Sequence, residues 1–163
     1  MLKKCIVAVC LLIAALPAAG IERGEKSVGL RAGYTTSNRS GVAGLYFQYA
    51  FSSRFRLAPD VDYSFRNDGH DAFSINLNGH FPLTAPSSRL TAYPLAGLNY
   101  TTWNYREPDN NDVSARTDRL GLNAGAGVDY LVTPTLKLGA DAKFRWTRDY
   151  NSGVFTVSIG YVF

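Results

Sequence analysis

The sequence contains very little cysteine, and both of its cysteines lie near the start of the chain. Cys5 and Cys10 fall inside an apolar stretch that ends at Leu16. Because no cysteine follows residue 10, the rest of the chain can form no internal disulfide, thiolate nucleophile or cysteine-ligated metal site. Thiol-dependent enzymes and disulfide-stapled scaffolds are therefore excluded for that part.

The chain also lacks an apolar run long enough to cross a bilayer as a helix. The apolar stretch at Cys5–Leu16 has 12 residues, follows two lysines and precedes the small residues Ala18–Gly20. This order is typical of a cleaved secretory signal. We predict a signal peptide over residues 1–20 and one domain over residues 21–163. A buried N-terminal helix and an uncleaved anchor are the alternatives.

An excess of one charge is nearly absent once the predicted signal is set aside. Without Lys3 and Lys4, fifteen lysines and arginines face thirteen aspartates and glutamates. Nucleic-acid binding would need a strong basic excess. We therefore predict no nucleic-acid partner.

Helical periodicity is missing after Gly20, and strict alternation of apolar and polar residues takes its place. It recurs eight times, in segments of about ten residues separated by turn residues. The predicted strands lie near residues 26–36, 42–51, 55–66, 72–83, 89–101, 119–131, 135–147 and 153–163. Pro59 and Pro94 cannot donate to a ladder, so we expect a bulge or local break at each.

The two faces of these strands predict a barrel with an apolar outside and a polar inside. The polar face carries charged residues beside small ones, which include Gly121, Gly127 and Gly139. Glycine weakens a solvent-facing strand, whereas inside a narrow barrel it leaves room for long side chains. Strands of about ten residues match the hydrocarbon thickness when tilted, and lipid tolerates no open sheet edge. The prediction is an all-β, eight-stranded antiparallel up-and-down transmembrane β-barrel; a soluble sandwich is the alternative.

Aromatic residues gather on the predicted outward face, many of them near strand ends, as expected for interfacial girdles. They are Tyr34, Phe47, Tyr49, Phe51, Tyr63, Phe65, Phe73, Phe81, Tyr100, Tyr130, Phe144, Trp146, Phe155, Tyr161 and Phe163. The connections are short, apart from a long polar segment over residues 102–118. We predict short turns on one rim and polar loops on the other.

The segment FTVSIGYVF, residues 155–163, resembles the C-terminal assembly signal of bacterial outer-membrane barrels, with Gly160, Tyr161 and Phe163 as its key residues. Together with the signal and the eight strands, residues 21–163 resemble the small OmpA/OmpX-type barrels, including opacity-like proteins. The resemblance implies secretion to the periplasm, recognition by the barrel-assembly machinery and insertion into the bacterial outer membrane. It does not imply one activity.

Inward-facing charges of both signs predict an ion-pair network that fills the lumen; a narrow ion path lined by lysine and arginine is the alternative. The residues assigned to this network are Arg31, Tyr46, Asp60, Asp62, Arg66, His80, Asp129, Lys137, Asp141, Lys143 and Arg145. The inward face also carries Gln48, Asn76, Asn78 and Asn123.

The segment over residues 102–118 is the predicted exposed recognition loop, because Trp103, Tyr105 and Arg106 are residue types that anchor interfaces. A hydrated loop with its aromatics in the outer girdle is the alternative. Neither His70 nor His80 lies in a pattern suited to lipid-modifying catalysis. We predict no catalytic residue, cofactor or metal site.

The sequence thus predicts a monomeric structural or surface-interaction protein surrounded by outer-membrane lipids and lipopolysaccharide. A small channel is the second interpretation and a lipid-modifying enzyme is the third.

Overall fold

The computed structural model describes residues 21–83, 89–106, 113–148 and 151–163. The predicted signal peptide lies outside the described residues. Eight strands are present: β1 (Lys26–Thr35), β2 (Ser40–Ser52), β3 (Phe55–Asn67), β4 (His70–His80), β5 (Leu90–Arg106), β6 (Val113–Leu131), β7 (Leu136–Thr147) and β8 (Ser152–Val162). Among the described residues, no helix is long and apolar enough to cross a membrane.

The strands form a closed barrel in which each pairs antiparallel with its neighbours in sequence. Closure is made by β1 and β8, whose register runs from Ser27 opposite Val162 to Thr35 opposite Val154. Beyond these pairs, the backbones of Lys26 and Phe163 exchange hydrogen bonds of 3.1 and 2.9 Å. The predicted eight-stranded up-and-down topology is confirmed.

The barrel is apolar outside and polar inside, as the alternation predicts. Leu120 and Val157 on the outer face are 70% and 64% exposed, whereas Ser74 and Thr101 inside are fully buried. Of the fifteen aromatic residues predicted to face outward, all are exposed except Tyr49, which is half-buried. A soluble sheet would bury its apolar face, so this arrangement excludes the soluble sandwich.

The two prolines behave differently from each other. Opposite Pro59, the β2–β3 ladder is interrupted between the pairs Tyr46–Asp60 and Tyr49–Leu57, with no change of register. Pro94 causes no bulge or break in the β5–β6 ladder, so that expectation is wrong. Its carbonyl accepts a hydrogen bond from Phe81, just past the end of β4. In an antiparallel strand, the N–H and C=O of one residue point to the same side. The N–H that Pro94 lacks would therefore point toward the segment just past the end of β4.

The largest difference from the sequence-based prediction concerns β5 and β6. They are 17 and 19 residues long and pair from Leu90–Tyr130 to Arg106–Val113. Most of the segment predicted as a long loop is therefore β-hairpin. We call the end of the barrel with the connections 36–39, 68–69, 107–112 and 148–151 the hairpin end. The opposite end, with Ile21 and Phe163, is the terminal end.

Candidate functional site

A group of six charged side chains, three of each sign, occupies the middle of the lumen. This central cluster consists of Arg31, Asp60, Asp62, Asp141, Lys143 and Arg145. Arg31 projects from β1 and lies 3.1 Å from Asp60, 3.3 Å from Asp62 and 3.2 Å from Asp141. Its Nη2 also donates to Thr156 Oγ1 at 2.7 Å. One guanidinium therefore joins carboxylates from β3 and β7.

Lys143 and Arg145 complete the cluster from β7. Lys143 Nζ lies 3.3 Å from Asp60 and 3.7 Å from Asp62. Arg145 lies 3.9 Å from Asp62 and donates to Ser74 Oγ at 3.0 Å. The cluster is buried and its formal charges cancel, which is the condition under which ion pairs persist at low dielectric.

A chain of asparagine amides connects the central cluster to β4, β5 and β6. Asn76 and Asn78 donate to the two carboxylate oxygens of Asp60 at 2.6 and 2.8 Å. Asn123 donates to Asn76 Oδ1 at 3.0 Å and Asn78 Oδ1 at 2.9 Å, and accepts from Asn99 at 3.0 Å. The amides therefore fill the lumen with bonded groups on the side away from β1.

A second group, the terminal-end cluster, consists of Arg56, His80, Tyr93, Asp129 and Lys137. Arg56 Nη2 lies 2.7 Å from Asp129 Oδ2 and 3.0 Å from His80 Nδ1. Its guanidinium carbon lies 4.9 Å from the centre of the Tyr93 ring, and that ring stacks on His80 at 4.3 Å. Aromatic and charged groups thus form a compact layer across the barrel.

Lys137 links this layer to β1 and β2, because its Nζ donates to Ser27 Oγ at 2.8 Å and also bonds Gln48 Oε1. Its distance to Asp129 Oδ2 is 3.8 Å. Glu25 lies nearby, just before β1. Burial raises the pKa of Glu25, and the neighbouring charge of Lys137 opposes that shift. The lysine therefore has fixed partners on both sides of the lumen.

Little space is left inside the barrel between the two clusters. The interior cavity between the two clusters, bordered by Arg31, Tyr46, His80 and Lys143, has a volume of about 20 Å³, enough for about one water molecule. Glycine contributes to this filling, since a Cβ atom on Gly160 would collide with the Tyr46 hydroxyl. The lumen is therefore a packed polar core.

Most residues assigned to the lumen lie there together, with one exception. Arg66 is exposed at the hairpin end of β3, because that strand continues past the filled part of the barrel. The sequence-based set also omits Arg56, Tyr93 and Asn99, which are central to the network. Alternation places all three on the inward face, but it does not show which of them meet.

The three residues assigned to a recognition loop lie in β5 instead. Trp103 is 5% exposed and Tyr105 is 38% exposed, and the Tyr105 ring lies 5.0 Å from the His70 ring. Arg106 pairs with Asp71 at 2.9 Å, and Asn104 donates to the same carboxylate at 3.0 Å. These polar contacts hold the extended β5 against β4 at the hairpin end.

His70 and its neighbours form no metal site. The ring of His70 contacts the Asp68 carbonyl at 2.9 Å through Nδ1, and Asp71 is paired with Arg106. In the part of the chain that the structure describes, no group of three His, Cys, Asp or Glu side chains is arranged to hold a metal ion.

Comparison with known proteins identifies one family. The family model described as outer membrane protein beta-barrel domain matches residues 7–163. No curated protein matches this sequence closely enough to count as a relative.

Several solved structures share the fold. The N-terminal barrel domain of Pseudomonas aeruginosa OprF aligns with a TM-score of 0.74 and 16% identity, covering 88% of this chain and all of that one. The attachment invasion locus protein Ail of Yersinia pestis, in complex with the heparin analogue sucrose octasulfate, aligns with a TM-score of 0.62 and 15% identity, covering 86% of this chain and 99% of that one. Neisserial surface protein A aligns with a TM-score of 0.61 and 18% identity, covering 85% of this chain and 96% of that one.

Proposed function

Because the chain belongs to the outer membrane protein β-barrel domain family, we propose that it binds a saccharide-bearing partner at the extracellular surface and that its lumen does not conduct ions. The family and the shared fold place the protein in the bacterial outer membrane. Its exposed apolar band, from Leu30 on β1 to Ile159 on β8, contacts the lipids there.

The filled lumen is the observation that carries this proposal. The interior cavity of about 20 Å³ lies between two layers of bonded side chains, one around Arg31 and one around Arg56. An ion would have to displace buried ion pairs, each of which costs about 3–5 kcal/mol to break. Function is then expected at the ends of the barrel.

The hairpin end is the end we assign to the outside of the cell. Outer-membrane barrels carry short turns on the periplasmic side and longer loops outside. Connection length alone does not separate the two ends, because two residues join β2 to β3 at the terminal end and two join β3 to β4 at the hairpin end. At the hairpin end, however, β5 and β6 extend past Tyr100 and Leu120, the last large apolar residues of their outer faces. Ail, a barrel of this fold, binds a sulfated saccharide analogue, and we propose a saccharide-bearing partner here as well.

A narrow channel is the second candidate, because polar side chains form a column along the lumen. They include Ser27 and Lys137, which are hydrogen-bonded at the terminal end, and Thr147 and Asn99, which are hydrogen-bonded nearer the hairpin end. Rearrangement of this column would open a path lined by charge. We favour the closed state because the formal charges of the central cluster cancel and each of its charged side chains is paired.

We propose that the protein is not an enzyme. His80 is buried against Arg56 inside the lumen, and His70 lies at the start of β4 on the hairpin end. A lipid-modifying catalyst would need such a group on the lipid-facing surface.

An array of immobilised glycans tests the surface role. The intact barrel in lipid nanodiscs is expected to bind at least one glycan class. A matched variant, with residues 36–39 and 104–117 replaced by short turns, should lose that binding while still migrating as a folded barrel on unboiled gels. Absence of glycan binding by the intact protein, or equal binding by the variant, would contradict the proposal.

A further inference from the structure

A polar cleft at the hairpin end is separate from the filled lumen. It lies between the β1–β2 connection, the β3–β4 connection and β5, and its volume is about 380 Å³. Six of its lining residues are Asn38, Arg39, Asn67, Asp68, His70 and Trp103. This volume is within the range of small-molecule sites, about 300–1,000 Å³.

The β1–β2 connection, on one side of the cleft, is hydrogen-bonded to the adjoining ends of β3 and β4 on the other side. Asn38 Nδ2 donates across to the carbonyls of Phe65 and His70 at 3.0 and 3.2 Å. Asn67 Nδ2 returns bonds to the carbonyls of Asn38 and Arg39 at 2.8 and 3.3 Å. Four crossing bonds make the cleft a preformed feature, which reduces the entropy that a ligand must overcome.

The backbone at the rim of the cleft is held in an uncommon conformation. Arg39 and Asp68 have φ angles of 52° and 48°, a left-handed region that costs about 1–3 kcal/mol for most residues and occurs often at ligand clamps. Each lies in one of the two connections, so both side chains project from turns whose shape is fixed.

These side chains leave hydrogen-bonding groups for a ligand. Within the described chain, the Arg39 guanidinium, the Asp68 carboxylate and Asn67 Oδ1 make no hydrogen bond or ion pair with protein. One planar donor and two acceptors therefore border the same cleft, and the largely buried Trp103 also lines it. An inorganic anion would be repelled by Asp68 and would leave the acceptors unused.

We infer that this cleft binds one neutral sugar unit of an extracellular glycan. Every sugar hydroxyl both donates and accepts, so adjacent hydroxyls can pair with the guanidinium, carboxylate and amide oxygen together, while a C–H group of the sugar contacts the small part of Trp103 that is exposed. The inference rests on the proposed surface role and deepens it by naming the site and the ligand class.

Tryptophan fluorescence can report on this cleft directly, because the chain has two tryptophans. Trp146 is 49% exposed on the outer face of β7, so Trp146→Phe leaves Trp103 as the only tryptophan. Glucose, galactose and N-acetylglucosamine are titrated separately against this barrel in nanodiscs, with sodium sulfate as the anion probe. At least one sugar should change the tryptophan emission in a saturable way, with a Kd of about millimolar. The matched barrel that carries Trp103→Phe alone, and so keeps Trp146, should show no change.

The site variants are Arg39→Asn and Asp68→Asn, because asparagine tolerates left-handed backbone while removing each charge. Combined in the Trp146→Phe barrel, they should weaken sugar binding at least tenfold, whereas Arg54→Asn at the terminal end should leave it unchanged. Unboiled gel migration verifies that each variant is folded. A response to sulfate but to none of the sugars would overturn the inference, as would sugar binding unaffected by the two substitutions. If the double variant still bound glycans on the array, the cleft would be ruled out as the binding site, but the proposed surface function would stand.

Discussion

At the scale of single residues, Arg31 is the side chain on which most of the lumen depends. Its guanidinium lies within 3.3 Å of Asp60, Asp62 and Asp141. Its removal would take the ion-pair partner from Asp141 and leave Asp60 and Asp62 with only Lys143 and Arg145. An unbalanced buried charge is far more costly than the loss of an exposed pair.

Arg31→Ala is therefore expected to lower the free energy of unfolding by about 3–5 kcal/mol. Arg54→Ala, in the exposed β2–β3 turn, should change it by less than about 0.5 kcal/mol. Urea titration of the detergent-solubilised barrel, followed by tryptophan emission, measures both. Equal stability of the two variants would show that the central cluster does not hold the barrel together.

Gly160 is the second residue with a defined role, because the Tyr46 ring fills the space that a side chain would need. Gly160→Ala should destabilise the barrel by about 1–3 kcal/mol through overpacking. Tyr46→Phe removes the hydroxyl that the new methyl would meet, and the double variant should recover part of the loss.

Gly153→Ala is the matched control on the same strand, since its nearest atoms are 3.5 Å from the position of the new methyl. Urea titration gives the comparison. If Gly160→Ala and Gly153→Ala had the same effect, the tight fit between β8 and Tyr46 would be wrong.

At the scale of elements, the β5–β6 hairpin divides into a membrane part and an external part. The membrane part ends near Tyr100 and Leu120, and the external part is held by polar pairs such as Arg106–Asp71 and Thr102–Asp118. Replacing residues 104–117 with a two-residue turn should thus leave a folded barrel, seen as faster migration before boiling. A variant that migrates as unfolded chain without boiling would show that the external part is needed for folding.

The end of β8 is the second element with a testable role, as a proposed assembly signal. Phe163 exchanges backbone bonds with Lys26 but leaves its side chain 59% exposed to lipid. Phe163→Ala should reduce the amount of barrel inserted in cells, while barrels refolded in detergent should lose little stability. Membrane fractionation and urea titration separate the two effects. Normal insertion of the variant would contradict the assembly role.

The elements also show how far sequence reasoning reaches. Alternation located all eight strands because each has one face in lipid and one in a polar lumen. It missed the ends of β5 and β6. There the outward face lies beyond the lipid and carries polar residues such as Asn104 and Arg116. Where both faces are polar, hydrophobic alternation disappears although the backbone pairing continues.

At the scale of the whole molecule, the sequence identified the filled lumen but not its arrangement. Strand parity shows that Arg56 and Asp129 both face inward. Their 2.7 Å contact depends on the shear of the closed barrel, which sets the height of β3 against that of β6. The cleft at the hairpin end has no sequence signal either, because its residues come from two connections and from the ends of three strands, β3, β4 and β5.

We propose that this outer-membrane barrel conducts no ions along its axis. Single-channel recording of the purified, refolded protein in planar lipid bilayers measures this property. We predict no steady conductance above that of protein-free bilayers, since the space left between the two clusters holds only about one water molecule. Reproducible openings of uniform size from the folded protein, absent with boiled protein, would contradict the account and favour the channel.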